Sequence, residues 1–273
     1  MTVDFHTHVF PDKIAAGTVA ALEKSGNTSS FSDGTYDSLI RKMKIAGVDV
    51  SINLPVLTKP TQFDSILKFA ISINEKFNSA SMSEPGILSF AGMHPDIEDV
   101  EQKLSMIKES GIKGIKVHPD YQSTFIDDEK YIRIFKEAKR LGLITVTHAG
   151  FDCAYPGQPV KCTPERVIRV LDKLGGYDKL VLAHMGGNHF FSEVYDTLAG
   201  EEIYLDTAFV LPLFSESDFK RVIDKHGDGR VLFATDSPWR DISEDKTILK
   251  SFSLDAESEK KILSENAIKL LEI

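Results

Sequence analysis

Short apolar, β-branched runs alternate with longer stretches of helical periodicity along the whole chain. The runs are Val3–His8, Val48–Leu54, Ile87–Met93, Ile112–His118, Leu143–His148, Lys179–His184, Ile203–Thr207 and Val231–Asp236. Each is short and nearly continuous in apolar character, as expected of strands buried on both faces. A polar or Gly/Pro-containing loop follows each run, and then an amphipathic segment. The pattern predicts helices over Tyr36–Ile45, Phe63–Ser79, Ile97–Glu109, Asp128–Leu141, Thr163–Leu174, Ser215–Lys225 and Glu257–Leu271. Asp127 or Asp128, Thr163 with Pro164 behind it, and Ser215 supply helix starts. Gly47, Gly111, Gly142 and Gly175 fall just past helix ends, where a left-handed residue is wanted. The segment Gly26–Thr35, rich in Ser, Gly and Asn, reads as an exposed loop.

Strand and helix alternating eight times imply a parallel sheet, and eight units in 273 residues fit an α/β fold closed as a (β/α)8 TIM barrel. A doubly wound open sheet is the alternative. No linker or low-complexity stretch divides residues 1–273, so one domain is expected. The net charge of −9, with no basic block, disfavours nucleic acid as a partner. No apolar run approaches the roughly 18 residues of a membrane span, and no signal peptide is visible, so no membrane partner is expected. Cys153 and Cys162 are the only cysteines, which fits a reducing cytoplasm.

Chemistry collects at the strand ends. His6 and His8 end the first run, and period-2 alternation points both to one side, where two imidazoles can share a metal ion. The third run ends at His94, the fourth at Lys116 and His118, the fifth at His148, the sixth at His184 and the eighth at Asp236. Six of the eight histidines therefore sit at one rim of the expected barrel, the edge that carries active sites. Parity gives Ile144 and Val146 the face of His148, Leu180 and Leu182 that of His184, and Leu232 and Ala234 that of Asp236. His189 falls in the loop after the sixth strand, and His226, at a helix end, reads as a solvated side chain.

The ordered set Asp4-x-His6-x-His8, His148, His184 and Asp236 resembles the amidohydrolase superfamily, in the branch that includes aminocarboxymuconate semialdehyde decarboxylase. The segment Gly92-Met93-His94-Pro95 is also similar to a motif of TatD-type nucleases, but those place a Glu ligand on strand four, where this chain has Lys116 and His118. The resemblance implies a catalytic divalent metal held by His6, His8, His148 and Asp236. Zinc is the default for that donor set, with manganese, cobalt or iron as alternatives. It implies catalytic roles for Asp236, as a proton acceptor and carrier, and for His184, which either acts on the bound hydroxide or substrate or ligates a second ion. Lys116 is either carboxylated between two ions, paired with Asp4, or the holder of a substrate anion. His118, His94, Trp239 and Arg240 are expected to contact substrate, with Phe10, Tyr121, Gln122, Phe151, Asn188 and Phe209 as further pocket candidates and Asp206 as an orienter of a ligand histidine.

The first functional expectation is hydrolysis, with metal-activated water attacking an amide, lactone or ester-like bond of a small molecule. The alternative is a non-oxidative decarboxylase of a small carboxylic acid, and a third reading is a non-catalytic metal or ligand binder. The resemblance also implies a homodimer.

Overall fold

The computed structural model describes residues 1–79 and 84–273. Its strands are β1 (Val3–Thr7), β2 (Val50–Asn53), β3 (Gly86–Ser89), β4 (Ala91–Gly92), β5 (Gly114–Val117), β6 (Ile144–Thr147), β7 (Leu180–Leu182), β8 (Tyr204–Asp206) and β9 (Val231–Leu232). All ladders are parallel, in the orders β1-β2-β3 and β4-β5-β6-β7-β8-β9. β3 and β4 are one stave interrupted at Phe90, whose N–H still donates to Asn53 O at 3.0 Å. That makes eight staves among the described residues. The last bonds to the first: Phe5 N donates to Phe233 O (2.9 Å), Asp236 N to His6 O (2.8 Å) and His8 N to Ser237 O (2.6 Å). The result is the (β/α)8 arrangement that strand–helix alternation predicted.

Why these residues suit a barrel is visible in its interior. Val3, Phe5, Val50, Ile52, Phe90, Ile144, Val146, Val181, Leu232 and Ala234 fill it as one buried cluster, joined by Ala267, Leu270 and Leu271 near the C-terminus. Gly114 must lack a side chain, because a Cβ there would lie 2.5 Å from the Phe90 ring and 2.6 Å from Ile144 O. Ile115, Val117, Leu180, Leu182, Leu205 and Phe233 pack outward among the helices.

Two local irregularities decide where the rim residues point. Between Asp4 and Thr7 the register of β1 against β2 shifts by one residue, as in a β-bulge. Val3 and Phe5 can then fill the interior while His6, next in sequence, still turns into the rim. The second irregularity corrects the parity expected for the sixth run. Val181, not Leu180 or Leu182, pairs with the inward Val146. The chain then kinks through His184 (φ +60°) and Met185 (φ +52°), which re-aims His184.

Helices α1 (Asp12–Gly26), α2 (Tyr36–Ala46), α3 (Phe63–Ser79), α4 (Val100–Glu109), α5 (Glu129–Arg140), α6 (Pro164–Leu174), α7 (Phe191–Thr197), α8 (Glu216–His226), α9 (Ile242–Ser251), α10 (Ala256–Lys260) and α11 (Asn266–Leu271) surround the staves. Asp128, Thr163 and Ser215 cap helices by accepting from Lys130 N, Arg166 N and Asp218 N. The expected helix over Glu257–Leu271 is present but contains a π turn at Lys261–Glu265. α1, α7 and α9 were not anticipated. α1 buries only Ala15 and Val19, so its apolar stripe is thin, and α7 has only 7 residues. Among the described residues no helix is long and apolar enough to cross a membrane.

His226 overturns its reading as a solvated side chain. It is 4% exposed, its Nδ1 accepts from Gly200 N at 3.2 Å, and its Nε2 has no partner. Burial lowers its pKa from 6.5 to about 4, outweighing the favourable position of a cation at a helix C-terminus. The folded state therefore excludes a proton that the unfolded chain takes up below pH 6.5. Stability from this group is complete above pH 6.5 and is lost as the pH falls toward about 4, by on the order of 3 kcal/mol. His226→Asn keeps an acceptor near Gly200 N and cannot titrate. Urea midpoints at pH 7.5 and 4.5 are expected to fall further apart for the wild type than for this variant.

Candidate active site

The rim is built by strand ends locked to one another. Thr7 Oγ1 donates to Ile52 O (2.9 Å) and Val9 N donates to Asn53 Oδ1 (2.9 Å), which fixes the loop carrying His8. Asp236, in a left-handed conformation (φ +70°), is carried beside both histidines. Its Oδ1 lies 3.0 Å from His8 Nε2 and 3.4 Å from His6 Nε2. The possible ligand atoms of His6, His8 and Asp236 all lie within 4.8 Å of one another.

The hydrogen-bond network sets which nitrogens carry lone pairs. His6 Nδ1 faces Asp206 Oδ2 at 2.8 Å. Asp206 also accepts from His184 N (2.9 Å) and Ala208 N (3.1 Å), so its carboxylate serves as an acceptor throughout. His6 therefore donates from Nδ1 and presents the Nε2 lone pair to the rim, as a metal ligand requires. Lys116 Nζ lies 3.1 Å from that Nε2. His184 Nδ1 must donate to Ala208 O (2.9 Å), leaving its Nε2 to accept from His148 Nδ1 (2.9 Å). His148 is left with a buried, unpartnered Nε2, 3.9 Å from the equally unpartnered Asp120 Oδ2.

Electrostatics follow from burial. Burial, then the Lys116 charge, holds His6 well below the usual histidine range. Burial also lowers His118 and His148 well below it, helped by Lys116 and by His118 respectively. Neutral imidazoles are the form that ligates metal. Burial brings Lys116 down to about 8, against the pull of Asp206 and Asp236, so its amine is mostly protonated at neutral pH. For Asp236 burial acts upward, but His6 and the His8 hydrogen bond outweigh it and the carboxylate stays below its ordinary range.

The structure does not gather every expected residue. His148 is grouped with His118 and Asp152, whose possible ligand atoms again lie within 4.8 Å of one another, rather than with His6, His8 and Asp236. Its ring stacks on His118 at 4.2 Å. Both groups and His184 line one cavity of about 490 Å³, together with Lys116, Phe10, Tyr121, Phe151, Asn188, Phe209 and Trp239. Three expected contacts lie outside that wall. Arg240 turns away and donates to the buried Asp245 (3.0 and 2.6 Å). His94 accepts from Asp96 N (3.1 Å) and so shapes its own loop. Gln122 ties Leu57 O (2.8 Å) to Met93 O (2.6 Å). The expected Lys116–Asp4 pair does not form either, because Asp4 accepts from Thr235 N and Oγ1 instead (3.0 and 2.7 Å).

Sequence reasoning missed Asp120, Asp152 and the contributions of α1 and α3 to the cavity wall. Asp152 lies four residues past His148, in a loop whose direction strand periodicity does not set. Gly150 sets it: at φ +86°, a Cβ there would lie 2.1 Å from Asn188 N. The backbones of the two loops therefore meet directly.

Comparison with known proteins follows from this geometry. A family model described as amidohydrolase matches residues 3–273. No curated protein matches the chain. Among solved structures, 2,6-dihydroxybenzoate decarboxylase from Rhizobium is similar with a TM-score of 0.68 at 17% identity, over 99% of this chain and 98% of that one. Dihydroxybenzoic acid decarboxylase from Polaromonas sp. JS666, with bound manganese and the inhibitor 2-nitroresorcinol, gives 0.69 at 16% identity, over 99% and 96%. An uncharacterized TIM-barrel protein from Bordetella bronchiseptica gives 0.74 at 14% identity, over 99% and 98%.

Proposed function

Since the chain belongs to the amidohydrolase family, we propose that it is a metal-dependent, non-oxidative decarboxylase of small carboxylic acids. One observation carries this reading beyond the family's general chemistry. The His6–His8–Asp236 group and the buried Lys116 amine share one cavity with aromatic walls. A substrate carboxylate would give that buried cation a direct ion pair, which a neutral amide or lactone would not. The solved decarboxylases of the same fold support this over hydrolysis, the first expectation from the sequence.

The donor set fits a divalent ion. His6 and His8 would supply nitrogen and Asp236 oxygen, and three protein ligands with open positions mark catalytic rather than structural sites. Zinc suits these ligands, and the manganese in the Polaromonas enzyme makes that ion the second to test. When bound, the metal would polarise a substrate oxygen and stabilise the negative charge that develops. Lys116 would hold the departing carboxylate, and Asp206 would keep His6 in its ligating tautomer. The bond to the carboxyl carbon breaks, its electron pair stays on the substrate carbon, and carbon dioxide leaves. Asp236 would pass a proton taken from solvent to that carbon, replacing the lost group. His184 would position His148 through their shared hydrogen bond.

Incubation with 2-hydroxybenzoates in deuterium oxide tests the reading. Carbon dioxide in the headspace and one deuterium at the vacated carbon are expected. No gas from any acid, together with oxygen-18 entering lactone or amide products from labelled water, would return the assignment to hydrolysis.

A further inference from the structure

The cavity continues past the rim into an apolar arm between α1 and α3. Ile14, Thr18 and Leu22 recur every fourth residue, so they form one stripe along α1, and all three line the cavity. Ala15 and Val19, one position further round, are the residues this helix buries. α1 thus has two apolar faces, one against the protein body and one toward open space. Ile66 and Phe69 of α3 line the same cavity, with Ser65 beside them, and their neighbours Leu67 and Ala70 face the core. Ile14 is 54% exposed where the arm meets solvent. An apolar side chain held there by a helix with little burial of its own gains nothing from the folded protein alone. Rim and arm together enclose about 490 Å³.

We propose that this arm is the binding site for an apolar extension of the substrate, so that the preferred acids carry an alkyl or aryl substituent that runs between α1 and α3. Only the carboxylate head of that substrate class rests on the decarboxylase reading. The arm rests on the lining residues and their spacing.

Dissociation constants for 4-alkylbenzoates and the matched 4-alkylbenzamides, measured by calorimetry on the metal-loaded protein, test the proposal. The slope with chain length is the readout. Affinity is expected to rise about fourfold per methylene from methyl to butyl, the effect of burying each group. Thr18→Trp, which fills the arm at mid-stripe, should flatten that slope, and Leu22→Asn should reduce it. The second variant decides the matter if the first does not fold. A rising slope with the amides but no binding of the acids would keep the arm and remove the carboxylate head. A flat slope in both series, no binding of either, or a slope unchanged in the folded variants would overturn the arm.

Discussion

Asp236→Asn is expected to lower turnover by about 10³-fold or more and to leave the purified protein without its tightly held ion. Two effects combine. The carboxylate is the one anionic member of the His6–His8–Asp236 group, with Oδ1 at 3.0 and 3.4 Å from the two imidazoles. An amide oxygen there is a poorer ligand for a divalent cation, and loss of a positioned acid or base alone typically costs about 10²–10⁴-fold. The variant should still fold, because the backbone contacts of this strand end, such as Asp236 N to His6 O, are untouched. Elemental analysis beside a thermal melt checks both points. Full metal content in the variant would show that Asp236 is not a ligand.

The second large effect is expected at a residue that reaches the site only through its neighbour. Asp206→Asn should weaken metal affinity by about 10–100-fold, the usual range for loss of a group that orients a ligand histidine. Asp206 is fully buried and accepts from His6 Nδ1 as well as from two backbone N–H groups. The amide must keep its oxygen on those N–H groups and so turns its NH₂ toward His6. His6 then has to accept at Nδ1 and protonate Nε2, which removes the lone pair facing the rim. Competition with a chelator of known affinity reads this directly. Histidine nitrogen chemical shifts should report the changed tautomer, which a purely structural role for Asp206 would not move.

Much of this architecture was legible because strand periodicity constrains side-chain direction. Asp236 could be placed with the rim from Leu232 and Ala234, which do lie inside with it. Asp206 was legible as a partner of a ligand histidine for the same reason. Where the backbone departs from regular geometry, periodicity fails. Val181 lies inside by its pairing with Val146, and the positive φ at His184 then turns that side chain to the rim, against the parity that Leu180 and Leu182 suggested. Asp4, between the inward Val3 and Phe5, accepts from Thr235 instead of meeting Lys116. Loop residues were the least readable. Arg240 was expected in the pocket, yet its partner Asp245 lies on α9, a helix the pattern did not reveal. α1 was invisible for a related reason. Its sequence is rich in Ala, Gly and Lys, and the stripe Ile14, Thr18 and Leu22 faces a cavity rather than the core.

Hydrolysis and decarboxylation use nearly the same residues, so the rim residues set by strand ends could not separate them. Shape and charge inside the cavity do more. Lys116 faces the same space as His6, and no acidic side chain takes it up as a close partner among the described residues.

The account stands most directly on where a metal binds. Crystals grown with manganese, measured at wavelengths around the manganese absorption edge, give that position from anomalous scattering. The predicted result is a peak in contact with His6, His8 and Asp236. A peak on His118 and Asp152 alone, or none at saturating manganese or zinc, would contradict it.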